Sequence, residues 1–282
     1  MLNGLPNNNI DIIEIKKPSS IESAVELIKI LSKLSPIVGN MLEFHIVDML
    51  NSLDWQGEGV WKRQDPYFPD AIFVSDMMKC NVGFEVKAWF PLATEITGRF
   101  KVSTDVLQKN KYSVVLIAWL PEFVFWGRPR IIDVAIFDAM SVADARNSHY
   151  HQPPRYVVRE PEDTDSRTKN LMQRNTSGFR FQESANNNIK DAAEYIKAIG
   201  MSNIYSPNAE YQKKVRQLLS NYNFREDTNF AKIDRIEHQG IEQFKQNTFA
   251  NVFCGCPIHE WADISKCKDN TILTSKLNNL FK

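Results

Sequence analysis

Residues 112–120 read Tyr-Ser-Val-Val-Leu-Ile-Ala-Trp-Leu, a nearly continuous apolar run broken only by Ser113. A bilayer span needs about 18–20 apolar residues, so this stretch is too short to cross a membrane. Its β-branched and aromatic content instead reads as a strand buried on both faces. Such a strand has to be covered above and below by other elements. The expected fold is therefore α/β, with a mixed central β-sheet flanked by helices.

The flanking sequence supplies the other layers. Apolar residues Ile21, Val25, Leu27, Ile28, Leu31 and Leu34 recur at helical spacing, with Ser19 and Glu22 placed as a capping box. A second helix is expected from Ser35, with Pro36 in its first turn, to about residue 53. Short β-type segments follow at 60–64, 71–75 and 82–90, the last stopped by Pro91. A short helix is expected over 103–111 and another strand over 131–137. From 149 to 184 the sequence turns polar and carries Pro153, Pro154 and Pro161. Helical segments are expected near 188–199, 208–222 and 229–250, with the last 30 residues short and irregular. This gives a core with N-terminal helices over 1–150 and a loop with a mainly helical C-terminal part over 151–282, either separate or continuous.

Composition excludes several classes. With 282 residues and 43% hydrophobic content, the chain can build a core without disulfides or structural metal. Lys plus Arg and Asp plus Glu both number 34, so no global basic surface is available to coat nucleic acid, though a local basic cleft remains open. No apolar leader opens the sequence, and its four cysteines are expected to be free thiols in a reducing cytoplasm. A Walker phosphate loop, a Gly-x-Ser-x-Gly elbow and a Rossmann fingerprint are all missing.

The chemistry concentrates around Asp70, Glu85 and Lys87. Side chains alternate along a strand, so Glu85 and Lys87 share a face while Val86 points to the other. Asp70 begins the preceding strand and comes beside them if the two form a hairpin. Charges set among Val82, Phe84, Val86, Trp89 and Phe90 need partners. Two carboxylates beside one ammonium suit a hard divalent cation such as Mg²⁺, which favours one or two carboxylates plus water and phosphate oxygens. That combination supports phosphodiester hydrolysis: Asp70 and Glu85 as metal ligands, Lys87 orienting or deprotonating water and offsetting transition-state charge.

Pro69-Asp70, followed after fourteen residues by Glu85-Val86-Lys87, resembles the signature of the PD-(D/E)xK nucleases. The resemblance covers about residues 20–140 and implies a restriction-endonuclease-like core with Asp70, Glu85 and Lys87 as catalytic residues. It also implies a glutamate on the helix before the first strand, for which Glu43 is the candidate, with Gly39 on the same face. A polar residue after the Glu-x-Lys strand is expected to aim at the site, and Gln108 is that candidate.

Substrate contacts are expected from Thr94, Thr97, Arg99 and Lys101, directly after the Glu-x-Lys strand, as phosphate ligands. A second group comprises Arg167, Lys169, Arg174 and Arg180, interspersed with Asn and Gln, the residue types that read base edges in the major groove. The long polar insertion favours a Mg²⁺-dependent, sequence-specific double-stranded DNA endonuclease of type II restriction character. Such an enzyme would be a homodimer, with a cognate DNA methyltransferase encoded nearby. Two alternatives stay open: a structure-specific or modification-dependent nuclease of the same fold in repair or phage defence, and a non-enzymatic α/β binding protein. Cys254, Cys256, His259 and Cys267 form a separate candidate zinc set, although Cys-x-Cys is not the usual knuckle spacing.

Overall fold

In β4 (Lys111–Pro121), every residue from Val114 to Leu120 has 0% exposure. The apolar run is thus a strand with both faces covered. The structure is a computed structural model that describes residues 10, 13–55, 57–64, 67–93, 95–102, 104–150, 157–158, 213, 225–226 and 231–281. β4 lies in a five-stranded sheet with β1 (Val60–Arg63), β2 (Ala71–Val74), β3 (Val82–Trp89) and β5 (Pro129–Asp138), in the order β1-β2-β3-β4-β5. Pairing is antiparallel except between β3 and β4, which run parallel, so the sheet is mixed. Each observed strand edge lies within two residues of its expected position.

Helices cover both faces. α1 (Ile21–Leu31) and α2 (Ser35–Asn51) bury Ala24, Val25, Ile28, Leu31, Val38, Leu42, Ile46 and Leu50 in one cluster with Val86, Val115, Ile117 and Trp119. The cap of α1 is Ser20 rather than Ser19: its extended backbone lets its hydroxyl accept from the Ser23 N–H at 3.2 Å. α3 (Thr104–Leu107) is a single turn, shorter than expected, because Lys111 has already joined β4, and α4 (Ala139–Tyr150) follows β5.

The C-terminal part departs most from expectation. A 3₁₀ turn (Ile233–Arg235) occupies part of the expected long helix, and α5 begins only at Gln239 (Gln239–Ala250). His238 sets that start: its backbone is extended and its Nδ1 accepts from the Ile241 N–H at 3.3 Å. α5 lies on the opposite sheet face, where Phe244 and Phe249 pack on Trp89 with ring centroids 5.9 and 5.1 Å away. The last 30 residues are not irregular. They form a hairpin (252–257), α6 (Ile258–Lys266) and α7 (Asn270–Phe281), joining the first cluster through Ile258, Trp261, Leu273 and Leu277. Among the described residues no helix is long and apolar enough to cross a membrane.

The chain divides into two compact units. Met1–Gly98, Thr104–Val142 and His238–Lys282 form the first; Arg99–Ser103 and Ala143–Glu237 form the second. The last helices therefore belong with the sheet. Within the second unit, the buried Arg146 donates from Nη1 to the Phe100 carbonyl at 2.7 Å and from Nε to Asn147 Oδ1 at 3.0 Å. The helices expected at 188–199 and 208–222 lie outside the described residues.

The α5 cap generates a pH prediction. With Nδ1 accepting from backbone, His238 Nε2 carries the proton toward the Ser141 hydroxyl, 3.2 Å away, while Asp138 accepts from the Ser141 N–H. Burial holds the His238 imidazole below its usual value, so folding favours the neutral ring. This contribution is fully present above the unfolded value, about 6.5, and is lost as pH falls through the lower folded value. Thermal unfolding between pH 5 and 8 is expected to show wild type losing more stability on acidification than His238→Asn, which retains a capping acceptor that does not titrate. Equal pH slopes would remove His238 from the cap.

Candidate functional site

The β2–β3 register pairs Ala71 with Phe84 and Ile72 with Gly83. Extending it by one step sets Asp70 opposite Glu85. Asp70 does not continue the strand ladder; its Oδ2 instead accepts the Val86 N–H at 2.7 Å, which fixes the carboxylate against β3. Val86 itself is buried in the core, so Glu85 and Lys87 project together from the other side.

Lys87 Nζ joins the pair. It lies 2.7 Å from Glu85 Oε1 and 3.4 Å from Asp70 Oδ2, and donates to the Val86 carbonyl at 2.9 Å. All three side chains are less than 20% exposed, at 14% for Lys87, 12% for Glu85 and 19% for Asp70. Burial pushes the Glu85 carboxyl up, with the Asp70 charge adding to it against the pull of Lys87. Burial draws Lys87 down, but Glu85, then Asp70 and Glu43, outweigh it and hold the ammonium above its ordinary value. Two carboxylates share one ammonium, and Glu85 Oε2 is buried with no hydrogen-bond donor among the described residues.

That orphaned oxygen is the test of fit for a divalent cation. An unsatisfied buried polar group costs about 1–3 kcal/mol, and more when charged. A hard cation between Glu85 and Asp70 would satisfy it and balance the surplus negative charge. The residues fit a two-carboxylate Mg²⁺ site completed by water and phosphate. They do not make a three-carboxylate one. Among the described residues no group of three or more His, Cys, Asp or Glu is placed to hold a metal ion, so Glu43 is no third ligand beside Asp70 and Glu85.

Glu43 nonetheless belongs to the neighbourhood. With Gly39 and Asn40 of α2 it lines a cleft of about 310 Å³ together with Lys87, Ala88, Glu95, Thr97 and Gly98. Gly39 brings α2 close to β3: a Cβ there would lie 3.4 Å from the Ala88 Cβ. Gln108 is exposed after α3 and is not part of that lining. Arg99 and Lys101 are exposed residues of the second unit, where Arg99 bridges to Lys232. Thr94, Arg167, Lys169, Arg174 and Arg180 lie outside the described residues.

The candidate zinc residues are not gathered. Cys254 and Gly255 are the two central residues of a tight hairpin, with φ of 48° and 86°, so the Cys-x-Cys spacing reflects a turn. Cys254 Sγ donates to the Glu122 carbonyl and Cys267 Sγ to the Asp269 carbonyl, each at 3.6 Å. His259 Nδ1 is 3.2 Å from the Phe249 carbonyl. Burial also pushes the Cys254 thiol up, away from the thiolate a metal needs.

Sequence reasoning passed over Gly83, Gly98, Asn40 and Glu95. A Cβ at Gly98 would meet Lys87 Cδ at 2.9 Å, so a larger residue there would push the lysine stem aside. A Cβ at Gly83 would come within 2.6 Å of Pro69 Cγ and 2.7 Å of the Ala71 carbonyl. A glycine inside a strand is the available signal for such a close backbone approach. The substitution Gly83→Ala is therefore expected to displace the Pro69–Ala71 backbone that carries Asp70. Overpacking of this kind destabilises by about 1–3 kcal/mol, readable as a lower urea midpoint, and Mn²⁺ affinity should fall with it. An unchanged midpoint and affinity would refute this role for Gly83. No known protein family matches this chain, and no characterised protein or solved structure was found to be similar to it.

Proposed function

We propose that the protein is a Mg²⁺-dependent endonuclease that hydrolyses phosphodiester bonds in double-stranded DNA, of type II restriction character. One observation carries the reading: Asp70 and Glu85 converge on Lys87 at a cleft wall, with Glu85 Oε2 buried and unsatisfied. The resemblance to PD-(D/E)xK nucleases is supported by the surroundings of that motif. The carboxylates stand at neighbouring strands of a mixed sheet, and a glutamate-bearing helix precedes the first strand. Asp70 and Glu85 would hold Mg²⁺, which when bound polarises the scissile phosphate and acidifies a water.

The chain's own residues divide the remaining work. Asp70 is locked by the Val86 N–H, so its carboxylate is preoriented. Burial draws Lys87 down, but Glu85, then Asp70 and Glu43, hold its ammonium above the ordinary value. Lys87 is placed to orient or deprotonate the attacking water and to offset transition-state charge with its ammonium. Glu43 acts on that ammonium through its field. Sequence specificity rests on the 167–180 segment, and dimerisation on the need to cut both strands of a symmetric site.

The test is digestion of unmethylated phage DNA by the purified protein with and without Mg²⁺. Discrete bands that require Mg²⁺ are expected. A smear would replace the restriction reading with a nuclease lacking sequence choice, and intact DNA would contradict cleavage of unmodified duplex. Asp70→Asn, whose amide oxygen can still accept from the Val86 N–H, should abolish cutting while leaving the fold intact. Lys87→Ala should lower the single-turnover rate by about 10²–10⁴-fold, the range for a positioned catalytic side chain. An unaltered rate would take Lys87 out of the mechanism.

A further inference from the structure

A second cleft adjoins the first. It has a volume of about 270 Å³, and its walls include Lys29 of α1, Lys266 of α6 and Ser32 in the turn after α1, over a floor containing Phe90, Leu92 and Phe125. Ser32, Phe90 and Ala93 line both clefts, so the two share a wall. Their charges are opposite. The first presents Glu43 and Glu95 with Lys87, close to Asp70 and Glu85, whereas the second has two lysines and no acidic residue in its lining.

That contrast bears on how a polyanion reaches the site. A phosphodiester approaching the carboxylates is repelled unless neighbouring phosphates are held elsewhere, and an adjoining basic cleft provides this. Lys29 is free to exchange partners. Its present one is Glu26, three residues earlier on α1, at 2.7 Å, with the lysine 45% and the glutamate 71% exposed. Exposed pairs of this kind are weak. Lys266 is exposed at the C-terminal end of α6, where the Ser265 hydroxyl donates to the Ala262 carbonyl at 2.8 Å and to the Leu92 carbonyl at 3.3 Å, pinning that end to the cleft floor.

We propose that the Lys29–Ser32–Lys266 cleft is a phosphate-backbone subsite that leads one DNA strand into the cleft lined by Lys87, beside Asp70 and Glu85. The proposal rests on the nuclease reading and adds to it residues outside the motif. Its occupant is the sugar-phosphate backbone, read by charge and without base contacts. Ser32, on the shared wall, is the donor that passes the strand from one cleft to the other.

The test separates this subsite from the nuclease reading. Binding of a fluorescein-labelled duplex is measured by anisotropy without divalent metal over a range of salt concentrations, for full-length wild type, Lys29→Gln/Lys266→Gln, and Lys29→Gln/Lys276→Gln. Lys276 of α7 is exposed and lines neither cleft, so both double variants lose the same charge. Circular dichroism confirms folding. Each phosphate contact contributes about 0.9 to the slope of log affinity against log salt, so losing both cleft lysines should flatten it by about 1.8. The Lys276 double variant should lose about half of that. Equal slopes for the two double variants, or a Lys29/Lys266 slope equal to wild type, would overturn the subsite even if Mg²⁺-dependent cleavage persisted. Wild type that neither binds nor cuts DNA would overturn both proposals.

Discussion

Seven consecutive residues of β4 without exposure impose the constraint on which the first unit is built. Both faces of the strand must be covered, so helices have to lie on each side of the sheet. α1, α2, α6 and α7 share a cluster with one face, while α5 meets the other through Trp89. β3, hydrogen-bonded along its length to β4, shares part of that enclosure: Gly83, Val86 and Trp89 are buried, Glu85 and Lys87 half-buried. A charged residue on β3 is therefore expensive to keep unless something compensates it. Glu85 and Lys87 compensate each other, and Asp70 is drawn in by the Val86 N–H.

The compensation is incomplete, and the incompleteness gives the site its chemical meaning. A structural ion pair would match one carboxylate to one ammonium and satisfy every oxygen. Here two carboxylates compete for Lys87, and Glu85 Oε2 has no donor among the described residues. The enclosure that stabilises the sheet thus raises the value of an incoming cation. Glycines at 83 and 98 let the Pro69 turn and the 96–98 loop close over the pair, so site geometry and strand packing are coupled.

The legible parts of the sequence were those set by local pattern. The β4 run, the alternation placing Glu85 with Lys87, and Pro36 opening α2 each depend on neighbours a few residues away. Illegible parts depended on distant partners. α6 and α7 do carry apolar residues at helical spacing, Ile258, Trp261 and Ala262 in one and Leu273 and Leu277 in the other, but their partners lie far away in sequence: Trp261 meets Phe125 at 5.8 Å, and its Nε1 donates to the Phe253 carbonyl. The start of α5 turns on a histidine cap, a weaker sequence signal than Ser or Asp. The cysteine cluster misled because spacing along the chain cannot distinguish a hairpin turn from a metal knuckle. Glu43, expected on the helix before the first strand, lines the cleft, and its charge is felt at Lys87; neither could be read from the sequence.

The proposed function stands on Asp70 and Glu85 together holding a divalent cation beside Lys87. Anomalous diffraction from a Mn²⁺-soaked crystal tests it without relying on turnover. One strong peak is expected within bonding distance of Asp70 and of Glu85 Oε2, weakened or gone in Glu85→Gln. A peak confined to other residues, or no peak at the pair in well-ordered crystals, would contradict it.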